Sequence, residues 1–208
     1  MKYSLSIPVV NKAIAGRSAR SYTVEGHFSE IEKLLKSGDY VVIEFGHNDG
    51  GSLSSTDNGR TDCPGDGDEV CNTSVQKGIL TFPAYITNAV KSFTGAGATV
   101  VVSSQTPDNP YMSGAFEYAP NRFTTYANQS VASSAHAKFV DHGQLVANAF
   151  EKLGKTQVDG FYPKDHTHTS PEGADVVAKA FVRGLVCSQS TLKSHVKNAT
   201  SSIQGGCL

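Results

Sequence analysis

Two β-branched runs constrain this chain more than anything else in it. Tyr40-Val41-Val42-Ile43-Glu44-Phe45 and Ala98 to Ser104 are almost continuously apolar, where a strand with one wet face would alternate. Such strands belong to a sheet covered on both faces. The segments around them have helical signals. One helix is predicted over roughly 80–94, ended by Gly95 and Gly97, and another over about 121–136. A short strand 138–141 precedes a helix near 143–153. A last helix starts at Ser170 or Pro171, with Ala174, Val177, Ala180, Phe181 and Leu185 on one side. The Ser29-Glu30-Ile31-Glu32 spacing is that of a capping box, with Ile31, Leu34 and Leu35 as the apolar face and Gly38 as the stop. Residues 8–15 read as a short buried strand ending at Gly16, and 17–21 as a polar turn or short helical segment. Alternating helix and strand imply an α/β fold with a parallel, doubly wound sheet, in one domain over residues 1–208.

In such sheets ligands bind outside the carboxyl ends of the strands. Gly16, the turn Gly46-His47-Asn48-Asp49 and the loop after Ser104 all follow predicted strand ends, so they are expected to converge on one edge. From Gly46 to about Gly78 the chain is polar and rich in Gly, Asp, Ser and Asn. A loop of that length is functional or disordered, and the cysteines inside it argue for order. Cys63, Cys71, Cys187 and Cys207 allow three pairings, of which the local one, Cys63 with Cys71 and Cys187 with Cys207, is the economical choice. Asn72-Thr73-Ser74, Asn128-Gln129-Ser130 and Asn198-Ala199-Thr200 are glycosylation sequons. With an even cysteine count they favour a secreted, oxidising setting. The N-terminus, Met1 to Pro8, is too short and too weakly apolar for a signal peptide, which points to a missing N-terminus. A net charge of -1 offers no general attraction to nucleic acid or anionic membrane. No apolar run approaches the ~18 residues that span a bilayer.

The chemistry centres on Asp165-His166-Thr167-His168. An acid three residues before an imidazole can hold it in the tautomer and orientation of a general base. The competing reading makes Asp165 a turn cap and the histidines surface residues. Asn48 offers a side-chain amide and Gly16 a backbone N–H to a developing oxyanion, although Asn48-Asp49-Gly50-Gly51 is also an ordinary turn composition. His47, His142, His166 and His168 raise the question of zinc. His166 and His168 point opposite ways in an extended segment, and no acidic ligand is fixed, so no metal site is expected. Tyr111, Phe116 and Tyr118 could stack on sugar rings, but packing down their own Pro/Gly-rich loop is the favoured reading.

Ala15-Gly16-Arg17-Ser18-Ala19-Arg20-Ser21, Phe45-Gly46-His47-Asn48-Asp49-Gly50-Gly51 and Asp165-His166-Thr167-His168-Thr169-Ser170-Pro171, in that order, resemble three of the four sequence blocks of SGNH hydrolases, the GDSL-type esterases. The wording is closest to fungal rhamnogalacturonan acetylesterases, and the likeness extends through Asp57-Asn58-Gly59-Arg60-Thr61-Asp62-Cys63 and both cysteine pairs. The resemblance implies a flavodoxin-like three-layer sandwich and removal of acetyl groups from a pectic polysaccharide through an acyl-enzyme. It makes His168 the base, Asp165 its orienting acid, and Gly16 and Asn48 the oxyanion donors. It also implies that neither metal nor organic cofactor is needed; a monomer is expected.

The family's nucleophile sits in a Gly-Asp-Ser block, and that tripeptide does not occur here; Gly-Asp is found at Gly38-Asp39, Gly65-Asp66 and Gly67-Asp68 without a following serine. A strand, sharp turn and most of a helix are therefore expected to be absent, roughly thirty residues by the size of a βαβ unit. Losing an internal strand would leave exposed edges and a marginal or aggregation-prone sheet. Ser18, Ser4 and Ser6 are the serines near the oxyanion glycine or the N-terminus, and none occupies a strained elbow. The rivals are a catalytically dead carbohydrate-binding module that keeps the groove and a metal-dependent hydrolase.

Overall fold

The computed structural model describes residues 5–54, 57–197 and 206–208. Two compact units emerge: one is built from Asn11–Gln105 and Arg122–Phe139, the other from Met1–Val10, Thr106–Asn121 and Val140–Leu208. The first contains helices α1 (Ala19–Val24), α2 (His27–Glu32), α3 (Phe82–Gly95) and α4 (Arg122–Ser130). Its strands are β1 (Tyr40–Glu44), β2 (Val70–Cys71), β3 (Ile79–Leu80) and β4 (Thr99–Ser103), with β5 (Ala137–Val140) running to the unit boundary.

The two apolar runs form the sheet they predict. β1 and β4 pair in parallel, from Tyr40 opposite Thr99 to Glu44 opposite Ser103, and β5 flanks β4 on its other side. Val41, Ile43 and Phe45 alternate onto one face with Val100 and Val102. There they meet Phe82, Ile86, Val90 and Phe93 of α3 and Phe123 and Ala127 of α4. The spacing of the α3 residues is that of one helical stripe. Val101, on the opposite face, is also fully buried, so β4 is covered on both sides. Thr81 starts α3 by accepting the Ala84 N–H at 3.2 Å, and Pro83 in the first turn loses no hydrogen bond there.

Residues 8–15 are not a strand. They are exposed and irregular throughout, held by local contacts such as the Tyr22 hydroxyl on the Lys12 carbonyl at 2.6 Å. An apolar run becomes a strand only with a ladder partner and a buried face, and this run has neither among the described residues. Ser29 is not a helix cap either. α2 begins at His27, with Gly26 in a left-handed cap, and stops at Glu32. Tyr22 touches His27 and Phe28 at ring-centroid distances of 4.9 and 4.8 Å, and Glu25 and Glu30 flank the His27 ring. Those contacts start the helix ahead of the Ser–Glu spacing. Leu34 is left exposed beyond its end.

The described residues of the long polar stretch are gathered around one ion pair. Arg20, on α1, has no solvent-exposed surface. Its guanidinium donates to both carboxylate oxygens of Asp57 at 2.8 and 2.9 Å, to the Thr61 carbonyl at 2.8 Å and to Gln76 Oε1 at 2.8 Å. Asp57 also accepts the Thr73 hydroxyl at 2.6 Å and the Gly59 N–H at 2.9 Å. Arg20 and these hydrogen bonds hold its pKa well below the carboxylate range. The Cys63–Cys71 disulfide and the β2–β3 hairpin complete the loop.

The second unit holds α5 (His142–Leu153), α6 (Lys155–Gly160), α7 (Pro171–Cys187) and a 3-10 turn over Thr191–His195. Sequence periodicity predicts α5 and α7 but not the six-residue α6. Phe150 packs against Phe161 and Tyr162 at 5.8 and 6.2 Å. Gly173, in the first turn of α7, is required by close approach: a Cβ there would lie 2.7 Å from the Phe161 side chain. The second disulfide, Cys187–Cys207, ties the last residue of α7 to the tail, as the local pairing predicts.

Removing one partner of a buried ion pair strands the other. Arg20→Ala is expected to cost about 3–5 kcal/mol of folding stability, read as a lowered urea midpoint. A loss below about 1 kcal/mol would show that Asp57 does not depend on Arg20.

Candidate active site

The unit that contains the sheet carries the two oxyanion candidates. β1 ends in Gly46-His47-Asn48-Asp49, and the sharpness of this turn is set by packing. Gly46 adopts φ +143°, and a Cβ on it would sit 1.8 Å from the side-chain oxygen of Gln105, just beyond β4. Only glycine fits. Asp49 is buried and binds the turn to the start of α1: one oxygen accepts the Ala19 N–H at 2.6 Å, the other the Gly46 N–H at 2.9 Å. Through that carboxylate the Gly16–Ala19 segment is tied to the Asn48 turn. Ser18 caps α1, accepting the Ser21 N–H at 3.1 Å, and is fully buried, which removes it as a substitute nucleophile. Ser6 is exposed and lies 3.5 Å from His195; Ser4 lies outside the described residues.

Asp62 is buried beside Asp49, and neither of its carboxyl oxygens meets a donor among the described protein groups. Burial first, and the charge of Asp49 second, raise its pKa; burial also raises that of Asp49, against the two N–H groups that favour its anion. An acid with no donor facing it and a carboxylate for a neighbour is satisfied by keeping its proton, which it can then share with Asp49. Asn48 itself is partly buried, and Arg60 Nη1 donates to its side-chain oxygen at 3.2 Å. Arginine has only donors, so this contact turns the amide oxygen towards Arg60 and leaves the NH2 end as the available donor.

The other unit carries Asp165 and His168, which the structure brings together. His168 Nδ1 donates to Asp165 Oδ2 at 2.8 Å. The other oxygen, Oδ1, accepts the Thr167 and His168 N–H groups at 2.8 and 2.7 Å. The two N–H groups, with the His168 side-chain bond, lower the Asp165 pKa to about 2. The carboxylate is thus both turn cap and imidazole partner, so the two readings of this tetrapeptide are compatible. The pair is open: 80% of the His168 side chain and 47% of the Asp165 side chain are exposed. Its loop is fixed at both ends, where Asn109 N–H donates to the His166 carbonyl at 2.7 Å and Ser170 N–H to the Phe161 carbonyl at 2.6 Å. The Asn109 side chain in turn donates to Asp159 at 2.9 Å, linking the loop to α6.

The remaining candidates resolve individually. His142 is buried, 2.8 Å from the Val177 carbonyl and edge-on to Phe181. His47 is exposed on the β1 turn. Among the described residues no three His, Cys, Asp or Glu side chains cluster as metal ligands. Tyr111 is buried, packs against Phe116 at 5.5 Å and reaches the Glu151 carbonyl at 3.4 Å. Burial pushes the Tyr118 pKa up to about 12. These aromatics hold their own loop down. Asn72 and Asn128 are exposed, while Asn198 lies outside the described residues.

Asp49, Asp62, Arg20, Asp57 and Arg60 are parts of this site that residue-by-residue reading misses. The signal for them is the family likeness itself, which takes in Arg20, Asp49 and the segment Asp57 to Cys63 without any role attached to these residues.

The sequence model of the family described as GDSL-like Lipase/Acylhydrolase matches residues 2–181. The chain belongs to that family. A rhamnogalacturonan acetylesterase of Emericella nidulans (strain FGSC A4) is 55% identical over 208 residues, covering 99% of this chain and 83% of the relative. A probable rhamnogalacturonan acetylesterase of Bacillus subtilis, YesY, is 23% identical over 86% of this chain and 76% of its own length. Among solved structures, the YXIM protein of Bacillus subtilis superposes with a TM-score of 0.67 at 20% identity, over 89% of this chain and 46% of that one. A catalytic mutant of Axe2, an acetylxylan esterase from Geobacillus stearothermophilus, gives 0.58 at 17% identity, over 92% and 75%. These structural neighbours share the α/β fold of the GDSL-type hydrolases, with a parallel sheet flanked by helices.

The buried acid pair predicts a pH dependence of folding. The folded chain keeps a proton on Asp62 that the unfolded chain releases. Stability therefore falls as pH rises from the ordinary carboxylate range towards the raised pKa of Asp62. Asp62→Asn is expected to flatten that fall between mildly acidic and mildly alkaline pH in urea titrations. An unchanged pH profile would show that Asp62 is ionised in the folded state.

Proposed function

We propose that this chain is a secreted, monomeric acetylesterase acting on acetylated rhamnogalacturonan, using the acyl-transfer chemistry of its family. The observation that carries the chemistry is the Asp165–His168 pair, a carboxylate on one imidazole nitrogen at 2.8 Å. With Nδ1–H committed to Asp165, Nε2 is the nitrogen that accepts a proton from a nucleophile and returns it to the leaving sugar hydroxyl. The Asn48 amide and the Gly16 N–H are the donors for the oxyanion of the tetrahedral intermediate. No step needs a metal or organic cofactor. The substrate follows from the 55% identity to a rhamnogalacturonan acetylesterase over nearly the whole chain. Two disulfides accord with secretion into an oxidising medium.

The nucleophile has no assignment, because no Gly-Asp-Ser occurs in these 208 residues. That observation favours a second reading, a groove that binds the polysaccharide without hydrolysing it. Acetate release from acetylated rhamnogalacturonan separates the two, measured for the chain and for a form extended by a Gly-Asp-Ser segment. The esterase reading expects turnover from the extended form, lowered by about a thousandfold or more in its His168→Ala variant. Binding without acetate release in both forms would establish the binding module. Equal release with and without the added segment would place the nucleophile on another residue.

A further inference from the structure

The arginines of the unit that carries Asn48 are Arg17, Arg20, Arg60 and Arg122. Three of them serve the protein itself. Arg17 donates to Glu25 at 2.8 Å, Arg20 is buried on Asp57, and the Arg122 guanidinium lies 4.9 Å from the centre of the Phe123 ring. Arg60 differs. Its side chain is exposed and donates to the Asn48 oxygen at 3.2 Å, and among the described residues no carboxylate stands within ion-pair distance of it. One donor of the guanidinium fork is engaged, which leaves an exposed cation next to a candidate oxyanion donor.

The backbone that carries Arg60 is fixed from several sides. Asn58 Oδ1 accepts the N–H groups of Arg60 and Thr61 at 2.9 and 3.1 Å. The Thr61 hydroxyl donates to the Gly50 carbonyl at 3.0 Å, and the Thr61 carbonyl accepts from buried Arg20 at 2.8 Å. The turn that carries Arg60 is therefore held in place, and the bond to Asn48 holds the guanidinium at its end. A planar guanidinium matches a carboxylate in a way that a lysine or an amide does not. With a net charge of -1, the chain as a whole has no attraction for a polyanion, so any preference for an acidic polymer must come from a local cation.

We propose that Arg60 is a carboxylate-binding subsite, which holds a uronate unit of the polysaccharide beside the acetylated sugar and selects acidic over neutral glycans. This rests on the esterase or binding reading above. In the complex the guanidinium keeps Asn48 turned with its NH2 end outward while its remaining N–H groups take the uronate.

The test is calorimetric binding of the chain to two probes. One is an acetylated rhamnogalacturonan oligosaccharide. The other is the same oligosaccharide with its carboxyl groups reduced to neutral alcohols. Arg60→Gln removes the charge but keeps an amide that can still donate to Asn48. It is expected to weaken binding of the acidic probe about tenfold more than that of the reduced probe, with Arg60→Lys falling between. Added salt should weaken only the acidic probe. An equal loss on both probes, or no loss on either, would overturn the subsite while leaving the functional reading in place. Failure of the unsubstituted chain to bind either probe would overturn both.

Discussion

A guanidinium sealed from water, paired with a single carboxylate, holds the loop edge of the sheet-bearing unit together. Arg20 leaves α1 and reaches Asp57, Thr61 and Gln76, which come from different parts of a polar stretch with no core of its own. Burying two charges is expensive, and what makes this pair tolerable is that every exposed-type donor and acceptor in it is met by another group. Asp57 takes Thr73 and Gly59 as well as the arginine. The consequence is positional. Thr61 hangs on the Arg20 guanidinium, Arg60 precedes it, and Arg60 sets the Asn48 amide. A surface feature of the candidate site is thus determined by an ion pair that never touches a ligand.

A second buried element works on the same edge by different means. Asp49 ties the β1 turn to the start of α1, and Asp62 stands behind it with a proton in place of a donor. The pair keeps the Gly16 and Asn48 segments connected without placing a second full charge in the interior. In the other unit the corresponding task falls to main-chain groups. Asp165 is ordered by two N–H bonds and spends its second oxygen on His168, while Asn109 and Ser170 fasten the loop at its ends. Groups held in this way need little further ordering when a ligand arrives.

Much of this was legible from the residues, and the failures have physical causes. The Val-rich runs required a doubly covered parallel sheet; β4 is covered on both faces, while β1, at the edge of the described sheet, buries Ile43 and leaves Val42 half-buried and Glu44 exposed. Asp165 and His168 were readable because their relation is local, three residues apart and closed by one hydrogen bond. Cys63–Cys71 and Cys187–Cys207 were readable for the same reason. Residues 8–15 misled because apolar composition reports a wish for burial, and burial requires a neighbour that composition cannot supply. Ser29 misled because an aromatic contact from Tyr22 started the helix earlier than its capping signal. The roles of Arg20 and Asp62 were invisible: each is a residue type that is normally exposed, and its burial depends on a partner from another segment, Asp57 for Arg20 and Asp49 for Asp62.

The Arg20–Asp57 pair thus holds the edge that presents Asn48. Residue-resolved amide hydrogen exchange, comparing the chain with its Asp57→Asn variant under conditions where both are folded, tests it most directly. Protection at Ala19, Gly46 and Thr61 should fall together in the variant, while the Val100–Val102 amides of β4 keep theirs. Unchanged protection at Ala19 and Gly46, with loss confined to residues 57–76, would contradict it.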